Sequence, residues 1–436
     1  MTDLMTTPLL LAAVPIMGAM LGLVVWSQPD KLKIWSVIVT VLSLLAVIGI
    51  SGQLTETIEG PLFLYLLPLA AGISLLGGPV HQQHRLACVL TLLFLGLGLG
   101  ILTSQQVAGQ IVLAILLGLI TFLLYWHHNP FWPRSWWGIG AYGVGALCAG
   151  LAAVTGPPVS AQASLLACAI LLPLVPFHHG YVSALTRLPG SLPSFIVLLL
   201  PAIGFHSLVA VIPMVPEIAV SMMTILALVG ALYGSIKALA QSRVRLLLAY
   251  GSLSFFSILW WFVAVSRTIM PQAVVFLASV ALVTGGLLLT WQVVRTRYGD
   301  DVDPQAISGL FRRMPQFAVL FSLLALAAMG LPPFGVFAGF MGMLLTASLT
   351  SSAALLVMMV AWLAASWYIL DMVQRLLFGR ERSDLRYEDL RRSELASLLI
   401  VVLIVIALGV APASLFGIKQ QPPSVGAVKE SVSWNR

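Results

Sequence analysis

The chain has 436 residues, of which 60% are hydrophobic and 8% charged, and its 22 basic and 15 acidic side chains leave a net charge of +7. So little polar surface excludes a soluble globule, because a water-soluble shell cannot be built from it. What remains is a polytopic all-α membrane protein whose positive balance suits anionic lipid headgroups and not nucleic acid.

Apolar windows long enough to cross a bilayer recur about fourteen times, at 8–26, 32–52, 61–79, 87–104, 109–126, 138–156, 163–187, 193–213, 218–240, 246–264, 272–294, 316–350, 353–377 and 394–414. The first has no small-residue cleavage signature and is followed at once by further spans, so it is expected to be a retained helix. Counting 316–350 as one crossing puts most of the 22 basic residues on the odd-numbered connections, Lys31, Lys33, Arg187, Arg243, Arg245 and Arg392 among them. The positive-inside rule then predicts both termini on the outer side.

Two spans are interrupted. "ACAILLPLVPFHHGYVSALTRLPGSLPS" carries Pro173 and Pro176, and "LALAAMGLPPFGVFAGFMGMLL" carries Pro332, Pro333 and Gly335. Proline removes a helical donor and clashes with the preceding turn, and a broken helix within a membrane must have its freed backbone groups satisfied by protein or water. Breaks in spans seven and twelve, five apart, suggest two inverted five-helix repeats, with two unrelated proline kinks as the plainer reading. The corresponding division is 1–86 for helices 1–3, 87–213 for the first repeat (helices 4–8), 214–377 for the second (helices 9–13), and 378–436 for a loop, a last helix and a polar tail.

Cys88, Cys148 and Cys168 fall within spans without a CxxC pair and read as small packing residues. No phosphate-binding, dinucleotide or iron–sulfur motif is present, so no cofactor, metal or catalytic centre is expected. "GLGLG" at 96–100 offers close helix packing. Trp126, Trp132, Trp136 and Trp137 read as an interfacial belt.

The segments "LPLVPFHHG", "ALAQSRVRLLLAYGSLS" (238–254), "GLPPFGVFAGF" (330–340) and "RLLFGR" (375–380) resemble, in wording and in order, the antiporter-like membrane subunits of respiratory complex I and its relatives. Those relatives are multisubunit (Mrp-like) cation/proton antiporters, membrane-bound hydrogenases and inorganic-carbon uptake complexes; the M-type subunit is the nearest in pattern. The resemblance runs from about residue 90 to 415 and implies a fourteen-helix fold with broken helices seven and twelve. It also implies a row of buried charges that moves protons: a glutamate in helix five, lysines in seven and eight, histidines beyond, and a lysine or glutamate in helix twelve. A charge in lipid is costly, so its presence argues for function.

Here those charges are missing. Carried over residue by residue, the lysine of helix seven falls on Leu171 and that of helix eight on Ala202 or its neighbour Pro201. The histidine after "AY-x-S-x-S" falls on Phe255, the next on Ser279, and the charge after "GLPPFG" on Phe340. No alignment is needed for helix five, because there is no Asp or Glu between Glu59 and Glu217, and no lysine stands between Lys33 and Lys237.

Some polar groups remain. Lys237 is either a displaced proton carrier or, as its long stem and nearby helix end favour, a snorkelling cation. His206 is a proton relay or a core histidine bonded to a neighbouring carbonyl. His178 matches a family histidine and is placed to cap carbonyls freed by the break. Arg243 and Arg245 read as interfacial anchors, and Asp371 with Arg375 as an i, i+4 pair. His81, His84, His127, His128, His178 and His179 share the basic side, but without a carboxylate or cysteine companion they read as interfacial histidines and not as a metal site.

The expected function is an antiporter-like subunit of a complex-I-related or inorganic-carbon-uptake assembly that keeps the scaffold and has lost most of the proton path. It would act as scaffold or coupling subunit beside other membrane subunits, among them a competent antiporter-like subunit and a soluble enzyme subunit. At most it would be a membrane subunit of a proton-translocating NADH:quinone oxidoreductase-like complex. One alternative is a translocating subunit with a rewired path through Lys237, His206, His178, Arg245 and Tyr250; another is an unrelated secondary transporter of a small solute. The expected location is the bacterial inner membrane.

Overall fold

The computed structural model describes residues 2–50, 62–78, 84–126, 135–298, 309–346, 352–378 and 388–411. Among them there is no β-strand. Six helices come first: α1 Thr2–Val24, α2 Pro29–Ile50, α3 Leu62–Gly77, α4 Arg85–Thr103, α5 Gln106–Trp126 and α6 Trp136–Val154. Span seven is a pair of half-helices, α7 Val159–Leu171 and α8 His179–Arg187. After α9 Leu192–Val211, α10 Glu217–Leu239, α11 Val244–Ser266 and α12 Pro271–Tyr298 comes a short α13 Leu310–Arg313. Span twelve is again two pieces, α14 Pro315–Ala328 and α15 Gly335–Thr346, and α16 Ser352–Leu377 and α17 Arg392–Val410 complete the chain.

Every expected span therefore has a helical counterpart, and both interruptions fall where the prolines predicted them. Ten of the helices are long and apolar enough to cross a membrane, and the remaining apolar segments are shorter. Burial sorts them. α9, α11 and α12 are almost wholly enclosed, whereas α2, α6 and α16 turn most of their surface outward. That outward surface is itself apolar, with Ile34, Ile38, Leu45, Leu147, Leu151 and Leu363 exposed, as lipid requires and water would not tolerate.

Side-chain contacts reproduce the alternation of sides. Lys33 Nζ, at the start of α2, donates to the Leu76 and Gly78 carbonyls at 2.9 and 2.6 Å. Arg297, at the end of α12, meets Glu394 of α17 at 2.7 Å, and Asp389 caps the amides of Gln316 and Phe317 at the start of α14. All these groups belong to odd-numbered connections and the helix ends beside them. Arg267 and Glu217, from two even-numbered connections, pair with each other at 3.3 Å. Asp371 and Arg375 form the expected pair along α16, at 2.8–2.9 Å and half exposed.

Trp126, Trp136 and Trp137 are exposed at the facing ends of α5 and α6, where Tyr125 and Trp136 have ring centroids 6.5 Å apart; Trp132 lies outside the described residues. All three cysteines are free thiols.

Candidate functional site

Around the first break, α7 stops at Leu171 because Pro173 and Pro176 cannot donate within a helix. The Leu174 amide still reaches the Ala169 carbonyl at 3.0 Å. The Leu172 carbonyl, which has lost its helical donor, accepts the indole N–H of Trp260 at 3.0 Å. Trp260 is fully buried on α11, so the bond satisfies both partners away from water.

His178 sits at the N-cap of α8 without a side-chain bond to that helix's amides, is 2% exposed, and its ring approaches the Pro176 carbonyl of the break. Its ring is also packed against those of His179 at 4.2 Å, Tyr233 at 5.1 Å and Tyr250 at 6.2 Å. Lys237, exposed in the last turn of α10, holds its ammonium 5.8 Å from the Tyr233 ring centroid. The structure thus gathers Lys237, His178 and Tyr250 around Tyr233, a residue that sequence reading did not single out. Its position four before Lys237 on one helix face was the available signal.

Arg245 and His206 stand elsewhere. Arg243 is exposed at the mouth of α11, but Arg245 is only 7% exposed, which corrects its reading as an interfacial anchor. Its guanidinium donates to the Thr186 carbonyl at 3.2 Å and to Gln292 Oε1 at 2.8 Å. Gln292 also stands 3.4 Å from His84 Nε2. A planar fork of donors is suited to such a buried set of oxygens. His206, on the last third of α9, lines a cavity at the opposite end of the bundle from Lys237, together with residues of the α4–α5 connection. His81, His127 and His128 lie outside the described residues, and among the described residues no three His, Cys, Asp or Glu side chains form a metal-binding group.

The positions on which the resemblance places the family's charges are buried. Leu171, Ala202 and Ser279 are fully buried, Phe340 is 1% exposed and Phe255 6%, and α9 runs through Pro201 without interruption. Phe255 and Phe340 both pack on Trp362, at 5.3 and 4.2 Å between centroids, and both lie against Phe276 at 6.2 and 6.4 Å. Phe262 adds an edge to Phe340 at 6.2 Å. Ser279 Oγ is buried without a partner, directly beside Gly335 of the second break. Among the described residues the only buried Asp, Glu, Lys or Arg side chains are Arg245 and Glu394, both near the basic face.

The second break is closed by backbone. α14 ends with Gly330 at φ 71°, a left-handed position that suits glycine, and the amides of Gly330 and Leu331 return to the Ala327 and Leu326 carbonyls. Gly409 of α17 packs directly on the Pro333 carbonyl, with no room for a side chain.

Proline-broken half-helices in spans seven and twelve, set in a bundle of enclosed and lipid-facing apolar helices, define a polytopic membrane protein with broken helices. Residues 159–367 match the family described as "NADH:quinone oxidoreductase/Mrp antiporter, TM". The NADH-quinone oxidoreductase subunit M of Pseudomonas aeruginosa is 27% identical over 271 residues, 58% of this chain and 52% of that protein. The chain spans about half the length of the curated relatives it matches. A chain of respiratory complex I from Thermus thermophilus superposes with a TM-score of 0.74 at 21% identity, covering 95% of this chain and 100% of the other. A chain of the Mrp complex from Dietzia sp. gives 0.75 at 17% identity, covering 96% of each. Over residues 159–367 the chain is similar to the antiporter family, and its fold is that of the antiporter-like chains it superposes on, as the sequence motifs implied.

Proposed function

We propose that this chain is an antiporter-like subunit that has kept the family's scaffold and lost its transmembrane proton path. It serves as a scaffold or coupling subunit beside other membrane subunits of a complex-I-related or inorganic-carbon-uptake assembly. The observation that carries this reading is the aromatic cluster at the centre. Phe255 and Phe340 share Trp362 and Phe276 at positions where the resemblance implies titratable groups. A proton wire needs groups that titrate or hold water in succession, and buried rings do neither. In this reading residues 87–213 and 214–377 are the two inverted repeats, the membrane is the bacterial inner membrane, and both termini face outward.

A rewired path is the rival reading, favoured by the meeting of Lys237, Tyr233, His178 and Tyr250. One experiment separates the two: a tagged chain is recovered from its native membrane in mild detergent, its companions are identified by mass spectrometry, and the purified chain is reconstituted for proton-flux measurement. The scaffold reading expects other membrane subunits to co-purify, and flux equal to that of empty liposomes in wild type, Lys237→Met and His206→Leu alike. Flux that Lys237→Met or His206→Leu abolishes would overturn it.

A further inference from the structure

Phe311 of α13 and Phe378, just past the end of α16, are 52% and 57% exposed. Their rings stack on each other, with centroids 6.0 Å apart and 23° between the planes. Both belong to odd-numbered connections, so the pair stands on the basic face of the bundle, and Arg312, Arg313 and Arg375 are its neighbours in the chain. We propose that this corner seats one anionic phospholipid, its headgroup on the arginines and its acyl chains along the outward face of α16.

The apolar half of the site is continuous with the lipid-facing surface. Leu363, Trp367 and Leu370 are exposed at intervals of three or four residues, which puts them on one helix face. The same face continues through the exposed Gln374 to Phe378. α14 packs beside α16 and adds the exposed Val319 close to its own basic-face end. An acyl chain can therefore follow apolar side chains from the bilayer interior almost to the ring pair. There the helices end and hydrocarbon gives way to headgroups, the depth at which aromatic rings settle and long cationic side chains reach outward.

Charge selects the headgroup. Guanidinium binds phosphate oxygens in a two-pronged, charge-assisted fashion, and Arg312 is exposed directly after Phe311. Two carboxylates of this corner are already engaged: Asp371 with Arg375 at 2.8 Å, and Asp389 with the Gln316 and Phe317 amides. That leaves the balance of Arg312 and Arg313 positive towards a ligand. An acidic protein segment would meet the same arginines, but it would gain nothing from a stripe that leads down α16 into the hydrocarbon; a diacyl lipid uses both halves.

The test uses the full chain, purified and delipidated in mild detergent, with bound lipids counted by native mass spectrometry. The probes are dioleoylphosphatidylglycerol and dioleoylphosphatidylcholine. The expected result is one retained phosphatidylglycerol, with a half-saturating concentration about tenfold below that of phosphatidylcholine. Arg312→Gln with Arg313→Gln should weaken its retention about twentyfold, near fivefold for each arginine. Phe311→Ala with Phe378→Ala should weaken both lipids several-fold. Arg243→Gln, which removes an exposed arginine elsewhere on the basic face, should change nothing. Equal retention of the two lipids, full retention in the double arginine variant, or the same loss in Arg243→Gln would each overturn the proposal. A second measurement does not depend on the folding of those variants: benzoylphenylalanine in place of Phe378 is irradiated in the native membrane. Labelling of phospholipid is the expected outcome, and labelling of a companion protein instead would overturn the proposal.

Discussion

Phe340 packs at a tilt on Trp362, with ring centroids 4.2 Å apart and 31° between their planes. The contact joins the second half of the broken helix in span twelve to α16, at a point where the family resemblance implies a charge.

A charge restored there alone should not restore conduction. Phe340→Glu would place a carboxylate among Trp362, Phe276 and Phe262 while Leu171 and Ala202 remain apolar. The expected outcome is proton flux in proteoliposomes no greater than wild type, with a lower Tm. The cost of a carboxylate near a helix centre in a membrane is about 2.5–3.5 kcal/mol.

Trp260→Phe keeps a ring on α11 but removes the donor to the Leu172 carbonyl. An unpaired buried carbonyl costs about 1–3 kcal/mol, so thermal unfolding in detergent should show a clear loss of stability. Trp261→Phe, a few per cent exposed on the same helix, makes the comparison, and a similar loss in both variants would deny the capping role of Trp260.

Two ion pairs should respond differently. Arg297 and Glu394 are 11% and 8% exposed, so Glu394→Ala leaves a largely enclosed guanidinium without its carboxylate partner and should cost up to about 3–5 kcal/mol. The double variant Arg297→Met with Glu394→Leu should recover much of that loss, because it removes both desolvated charges. Asp371→Ala, in a pair whose side chains are 42–45% exposed, should fall within about 1 kcal/mol of wild type. Chemical denaturation of the three variants in one detergent would settle the ranking.

Gly409→Val should push α17 away from the second break, since that glycine already touches the Pro333 carbonyl. Overpacking of this kind costs about 1–3 kcal/mol. The expected signs are a lower Tm and faster proteolysis near the break; an unchanged Tm would mean that α17 can move away freely.

Sequence by itself determined the order of the apolar spans, the two breaks and the long stretch without Asp, Glu or Lys. Each is a one-dimensional property: the length of an apolar run, the position of a proline, or the lack of any Asp, Glu or Lys in a stretch such as 60–216. Only the tertiary structure decided that Trp260 closes the first break, that Phe255 and Phe340 meet on one indole, that Arg245 is buried against Thr186 and Gln292, and that Gln110 shares a cavity with His206. The physical reason is the solvent. In water, one apolar stripe shows which face of a helix is buried; in lipid both faces are apolar, so rotation and helix pairing rest on packing of residues far apart in the chain, which periodicity does not encode.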